Sequence, residues 1–210
     1  MELYKTVMKE ASATQIIEKS KFIAHVKPVE TKEEADEFIA AIKKKYKDAT
    51  HNVPALVQGD KFQIQWASDD GEPQGTSGAP MVQMMVKEGV TNLVVVVTRY
   101  FGGIKLGTGG LVRAYTSSAR LGLEAAEVCS VEEVCCITAE IGYTYLSRVK
   151  QLNEKKFIID DISYGANVTV VLQCSCEEAQ EVEDFLINLT SNEVNIISTE
   201  NKIKKVKKGC

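Results

Sequence analysis

The sequence predicts an α+β protein of two domains, on three observations. Strand-like and helix-like periodicities alternate along the whole chain. The composition changes near Val128–Val131, and a self-contained order of six elements follows. The length, 210 residues, suits one large domain or two small ones. The division is therefore placed after residue 130, giving domains 1–130 and 131–210.

Within the first domain, residues 5–29 contain β-rich stretches, the clearest being Lys21–Val29. Thr31 opens a helix, because Thr31-x-x-Glu34 forms a capping box. Acidic Glu33, Glu34, Asp36 and Glu37 crowd its start and Lys43, Lys44, Lys45 and Lys47 its end, which complements the helix dipole. Strands are expected at 50–58 and 62–67, then a polar loop over Ser68–Gly78, a helix at 79–87 and a buried strand at 92–98. A glycine-rich loop, Arg99–Gly110, precedes a helix over 111–127 that packs through Leu111, Tyr115, Ala119, Gly122 and Ala126.

The second domain reads strand 132–141, helix 144–155, strand 157–163, strand 166–174, helix 176–190, strand 193–203. Tyr164-Gly165-Ala166 makes the central turn and Ser175-x-x-Glu178 caps the second helix. That βαββαβ order is the ferredoxin-like unit. A basic run, Lys202, Lys204, Lys205, Lys207 and Lys208, is expected as a solvated, partly frayed tail.

Composition excludes several classes. With 44% hydrophobic residues and a net charge of -4 the chain is not disordered. Its longest aliphatic run, Leu93–Val97, is too short to cross a bilayer. The first twenty residues are charged and hold no signal-peptide core, so a cytoplasmic location without membrane partners is expected. The six cysteines include no Cys-x-x-Cys, and there are two histidines, so neither a metal site nor a cofactor is expected. The cysteines read as small apolar strand residues.

The informative stretch runs from Arg99 to Tyr115. Five glycines, Gly102, Gly103, Gly107, Gly109 and Gly110, fall within nine residues between a strand and a helix. Glycine lets backbone N–H groups approach a ligand, and a helix start adds unpaired N–H groups and a positive pole. No acid lies between Thr98 and Leu123, whereas Arg99, Lys105, Arg113 and Arg120 do. The expectation is an anion site, most naturally for phosphate, built from Arg99, the five glycines, Lys105, Thr108 and Arg113. It is neither a P-loop, since no Lys follows Gly107, nor a dinucleotide fingerprint, since Val112 stands where the third small residue is required.

The loop Asp69-Asp70-Gly71-Glu72-Pro73-Gln74-Gly75-Thr76-Ser77-Gly78 lacks EF-hand spacing. Asp69, Asp70, Glu72, Thr76 and Ser77 are expected to support the glycine-rich loop, with Asp69 or Asp70 ordering Arg99. The two loops should share one end of the sheet. A His51–Asp70–Ser77 triad can be drawn, but no nucleophile elbow supports it, and no catalytic residue is assigned. Trp66 reads as core, and Tyr100-Phe101 beside the cations could stack on bases.

These segments, Asp69–Pro73, Gly75–Gly78, Arg99–Tyr115 and Thr50-His51-Asn52, resemble the signature of the IMPACT/YigZ family across essentially the whole chain. The resemblance implies a first domain similar to the second domain of a small-subunit ribosomal protein and to elongation factor G domain four. It implies a second domain similar to domain five of that factor. Eukaryotic members regulate translation by competing for a ribosome-associated kinase activator. The expectation is a non-enzymatic, translation-associated regulator with RNA or the ribosome as partner. The alternatives are a metal-assisted enzyme acting on a phosphorylated or nucleotide ligand, and a protein-interaction module with a protein partner. The sequence leaves the oligomeric state open.

Overall fold

The structure, a computed structural model, describes residues 2–206. Its elements are β1 (Glu2–Val7), β2 (Ala11–Ile17), β3 (Ser20–Pro28), α1 (Lys32–Lys45), β4 (His51–Gln58), β5 (Ile64–Ala67), α2 (Gly78–Glu88), β6 (Leu93–Tyr100), α3 (Gly107–Ala125), β7 (Val128–Ile141), α4 (Tyr143–Gln151), β8 (Ile158–Tyr164), β9 (Val168–Ser175), α5 (Ala179–Leu189) and β10 (Asn195–Val206). They form two compact units, one of residues 4–130 with 205–206 and one of residues 2–3 with 131–204.

The first unit holds a sheet of order β2-β3-β6-β4-β5, antiparallel at every junction. Alternation along the strands gives the sheet two apolar faces. On one face Phe22, Ala24, Val26, Val53, Val95 and Val97 pack with Met81 and Met85 of α2 and Tyr115, Ala119 and Leu123 of α3. On the other, Leu56, Val94 and Val96 meet Ala35, Phe38, Ile39 and Ile42 of α1. Helix α1 begins as its sequence requires. Thr31 Oγ1 accepts from Glu34 N–H at 3.2 Å, and the Glu34 carboxylate accepts from Glu30 N–H at 2.8 Å. Helix α3 starts at Gly107, four residues before its apolar stripe begins, so Gly107–Gly110 form its first turn rather than a preceding loop.

The second unit runs β7-α4-β8-β9-α5-β10; β7 pairs with β9 and with β10, and β9 with β8, in a five-stranded sheet that β1 joins through β7. This is the ferredoxin-like arrangement, with Ile137, Val170 and Leu172 of the sheet packed with Val149 of α4 and Val182 and Leu186 of α5. Ser175 Oγ accepts from Glu178 N–H at 3.3 Å and donates to its carboxylate, but α5 begins only at Ala179, with Glu178 at the N-cap position and no side-chain cap, so the pair closes the turn before the helix rather than capping it. The basic run is not a frayed tail where it is described. Lys202, Lys204 and Lys205 lie in β10, with Lys204 on Asp160 at 2.6 Å and Lys205 Nζ donating to the Val7 carbonyl. Lys207, Lys208 and Cys210 lie outside the described residues. Cys129, Cys135, Cys136 and Cys174 are buried in strands, where burial raises the Cys174 thiol to about 12.

Candidate anion-binding site

Strand β4 is antiparallel to both β5 and β6, so β5 and β6 run the same way. The loops after them, 68–77 and 101–106, therefore leave the sheet at one end, together with the start of β4 and the β2–β3 turn. Cross-strand register places Phe22, Arg99 and His51 side by side on β3, β6 and β4.

Arg99 is buried, and its Nη1 donates to Glu72 Oε1 at 2.6 Å. Glu72 also accepts from the Tyr115 hydroxyl of α3 at 2.7 Å, and His51 Nε2 lies 3.7 Å away. Glu72, not Asp69 or Asp70, thus orders Arg99, and Arg99 is withdrawn from the solvent-facing cation surface assigned to it. A buried guanidinium needs a buried carboxylate, because a pair in low dielectric screens itself where a single charge cannot. Burial, then the hydrogen bond to Glu72, pushes the Tyr115 phenol well above its ordinary value. The guanidinium also sits 5.4 Å from the Phe22 ring centre and 5.5 Å from that of Phe101. His51 Nδ1 is 2.8 Å from the Asp70 carbonyl; since a carbonyl only accepts, that nitrogen carries the proton.

Asp69 and Asp70 have other partners. Asp69 Oδ1 accepts from the backbone N–H groups of Ser77 and Gly78 at 3.2 and 3.0 Å and from Ser77 Oγ at 2.6 Å. Its Oδ2 accepts from Gly75 N–H at 2.8 Å. Asp69 therefore caps α2 from eight residues upstream, while Ser77, the N-cap by position, caps nothing with its own side chain. Burial alone would raise its carboxyl, but these hydrogen bonds, Ser77 Oγ first, outweigh it and hold the group below its ordinary range. Asp70 pairs with Lys43 of α1 at 2.5 Å and accepts from Asn52 N–H at 2.7 Å. Thr76 Oγ1 donates to the Pro73 carbonyl at 2.7 Å. The drawn triad does not assemble, since Ser77 Oγ bonds Asp69 and is fully buried. Among the described residues no cluster could hold a metal ion.

The glycine-rich segment fits closely at one point. A Cβ on Gly102 would come within 2.1 Å of the Lys19 carbonyl, so the loop can lie across the β2–β3 turn only without a side chain there. Gly103 and Gly107 have φ of 88° and 70°, a region that favours glycine. Gly107, Thr108 and Gly109 are exposed in the first turn of α3, and no side chain caps it. Of the four cations of this stretch, Arg99 is paired with Glu72 and Arg120 with Glu88. Lys105 and Arg113 are exposed and no ion pair joins them to the described residues. Both line an open cleft of about 490 Å3, with Gly110, Ser117, Ile17, Ile104, Leu106 and one acid, Glu18.

Two features escaped the sequence. Lys43 shows there only as one of several basic residues at a helix end, and nothing marks it as the partner of Asp70. Trp66, expected in the core, is 42% exposed on the edge strand β5.

Comparison with known proteins places this geometry. The Impact N-terminal domain matches residues 18–123, which hold both loops, the buried network and all of the cleft lining except Ile17. A Bacillus subtilis protein, IMPACT family member YvyE, is 40% identical over 92% of this chain and 89% of its own length. The chain belongs to the IMPACT family. Residues 140–193 match a domain of unknown function, DUF1949, within the ferredoxin-like unit. A second IMPACT family member, from Haemophilus influenzae, is 37% identical over 83% of this chain and 84% of its own. A solved structure described as a hypothetical protein has TM-score 0.58 and 29% identity, and covers 95% of this chain and 98% of that one. No helix among the described residues is long and apolar enough to cross a membrane.

Proposed function

We propose that this IMPACT family member is a non-enzymatic, translation-associated regulator that holds RNA, free or ribosomal, by its phosphates. The observation that carries the reading is the cleft that Lys105 and Arg113 line together with Gly110 of the first turn of α3. Phosphate suits that arrangement. A helix start offers N–H groups and a positive pole to an anion, and two cations with no ion pair among the described residues add charge. Membership of a family whose eukaryotic branch, by resemblance, regulates translation supports the same reading. The alternative enzymatic reading would give Asp69 and Asp70 to a metal; both already serve internal partners.

Phosphate contacts carry no base identity, so binding should be weakly sequence-specific and steeply salt-dependent. The double variant Lys105→Ala/Arg113→Ala tests this by fluorescence titration of RNA across salt concentrations. The expected result is weaker binding with the log–log salt slope reduced by roughly 1–2 units. Circular dichroism should match the parent, since both side chains are exposed. A folded double variant with an unchanged slope would remove this site. Sedimentation of tagged protein with ribosomes, with and without nuclease, separates an RNA partner from a protein one.

A further inference from the structure

Phe101 leaves the sheet at the same end and is 46% exposed, yet it is anchored. Its backbone N–H donates to Thr50 Oγ1 at 3.0 Å. Its ring lies against the guanidinium of Arg99, which also lies against Phe22 and which Glu72 fixes. Tyr100 is engaged differently: its hydroxyl donates to Asp48 at 3.1 Å. Gly102, locked onto Lys19, follows Phe101 directly, and Lys105 comes three residues later at the rim of the cleft. An aromatic ring backed by a held cation, open to solvent and on the same loop as a phosphate-binding cation is the arrangement that stacks a base.

We infer that Phe101 is a stacking platform for an unpaired RNA base, with Arg99 as its positioning residue rather than a phosphate ligand. The inference rests on the phosphate reading above and names the substrate class: single-stranded RNA. A base inside a duplex has both faces covered by its neighbours and cannot use the ring. Stacking tolerates any base, which agrees with a site whose other contacts go to phosphate.

The test compares a fluorescent single-stranded oligouridylate with an RNA duplex of equal length, using the full chain and the variants Phe101→Ala, Phe101→Leu and Phe101→Trp. Loss of one stacked base should weaken single-strand binding roughly fivefold or more in the Ala and Leu variants and spare the Trp variant. The salt slope should stay at the parent value, and duplex affinity should not change. Leu keeps apolar bulk, so a Leu variant that binds the single strand as the parent does overturns the inference, as does an equal loss on both probes. A parent that binds both probes through Lys105 and Arg113 but is indifferent to Phe101 defeats this inference alone. A parent that binds neither probe at low salt defeats the phosphate reading and this inference with it.

Discussion

Arg99 and Glu72, from a strand and from a loop 27 residues apart in sequence, meet at 2.6 Å with both side chains almost wholly buried. The carboxylate is shared with the Tyr115 hydroxyl, so one residue joins β6, the 68–77 loop and α3. Removing either charge leaves the other buried and uncompensated. Glu72→Gln should therefore destabilise the first unit by about 3–5 kcal/mol, measured by urea denaturation. Tyr115→Phe, which keeps the ion pair, should cost less. Parity between the two variants would deny the pair this role.

Asp69 is the acceptor for the N-terminus of α2. Asp69→Ala should cost about 1–2 kcal/mol, the scale of a lost cap. Its carboxyl is held below the ordinary value in the folded protein, so the stabilisation is present above the unfolded pKa and lost as pH falls through the folded one. Chemical denaturation below pH 4 should show that loss in the parent and a smaller one in Asp69→Asn.

His25 loses stability in the same direction of pH, but with the neutral rather than the charged form favoured by folding. Burial, then the nearby charge of Lys45, lowers its imidazole from 6.5 to about 4, and its Nε2 is buried without a hydrogen-bond partner among the described residues. The unfolded chain binds this proton first, so stability is complete above pH 6.5 and falls as pH drops from there to about 4. One such group gives at most about 1.4 kcal/mol per pH unit. A His25→Phe variant should flatten the stability profile in that window; an unaltered profile would assign the slope to other groups.

Gly102 and Gly103 should fail differently. Gly102→Ala drives a Cβ into the Lys19 backbone, and overpacking of that kind costs about 1–3 kcal/mol unless the β2–β3 turn moves. Gly103→Ala meets no atom within 4 Å, and its penalty is the backbone strain at φ of 88°, about 1–2 kcal/mol. Thermal denaturation gives both losses, and amide exchange at Lys19 and Ser20 should rise in the Gly102 variant alone.

Much of the fold was legible because it depends on local periodicity. The stripe Leu111, Tyr115, Ala119 and Gly122 is buried as its spacing requires, and the capping box at Thr31 opens α1. The start of α3 was not legible, since four residues containing three glycines have poor helix propensity and tertiary packing overrides it. Charge pattern marked the cationic stretch, but not which of its cations take an ion pair. That is decided by tertiary packing, which brings the loop residue Glu72 to Arg99 of β6 and Glu88 of α2 to Arg120 of α3. Nor could spacing tell Asp69 from Glu72, two acids of one loop whose partners depend on which way each peptide turns.

The cap that Asp69 places on α2 has an electrostatic consequence at longer range. Helices α2 and α3 both begin at the end of the sheet from which the two loops emerge, so their positive poles lie there together. A carboxylate offsets the first pole, whereas no side chain caps the second. The field at this end is thus lopsided, rising towards Gly107–Gly109 and towards Lys105 and Arg113, which have no ion pair among the described residues. A polyanion diffusing in would feel a torque before touching the surface, and its approach would be oriented rather than merely accelerated. Such orientation fades once salt shortens the Debye length to below about 10 Å.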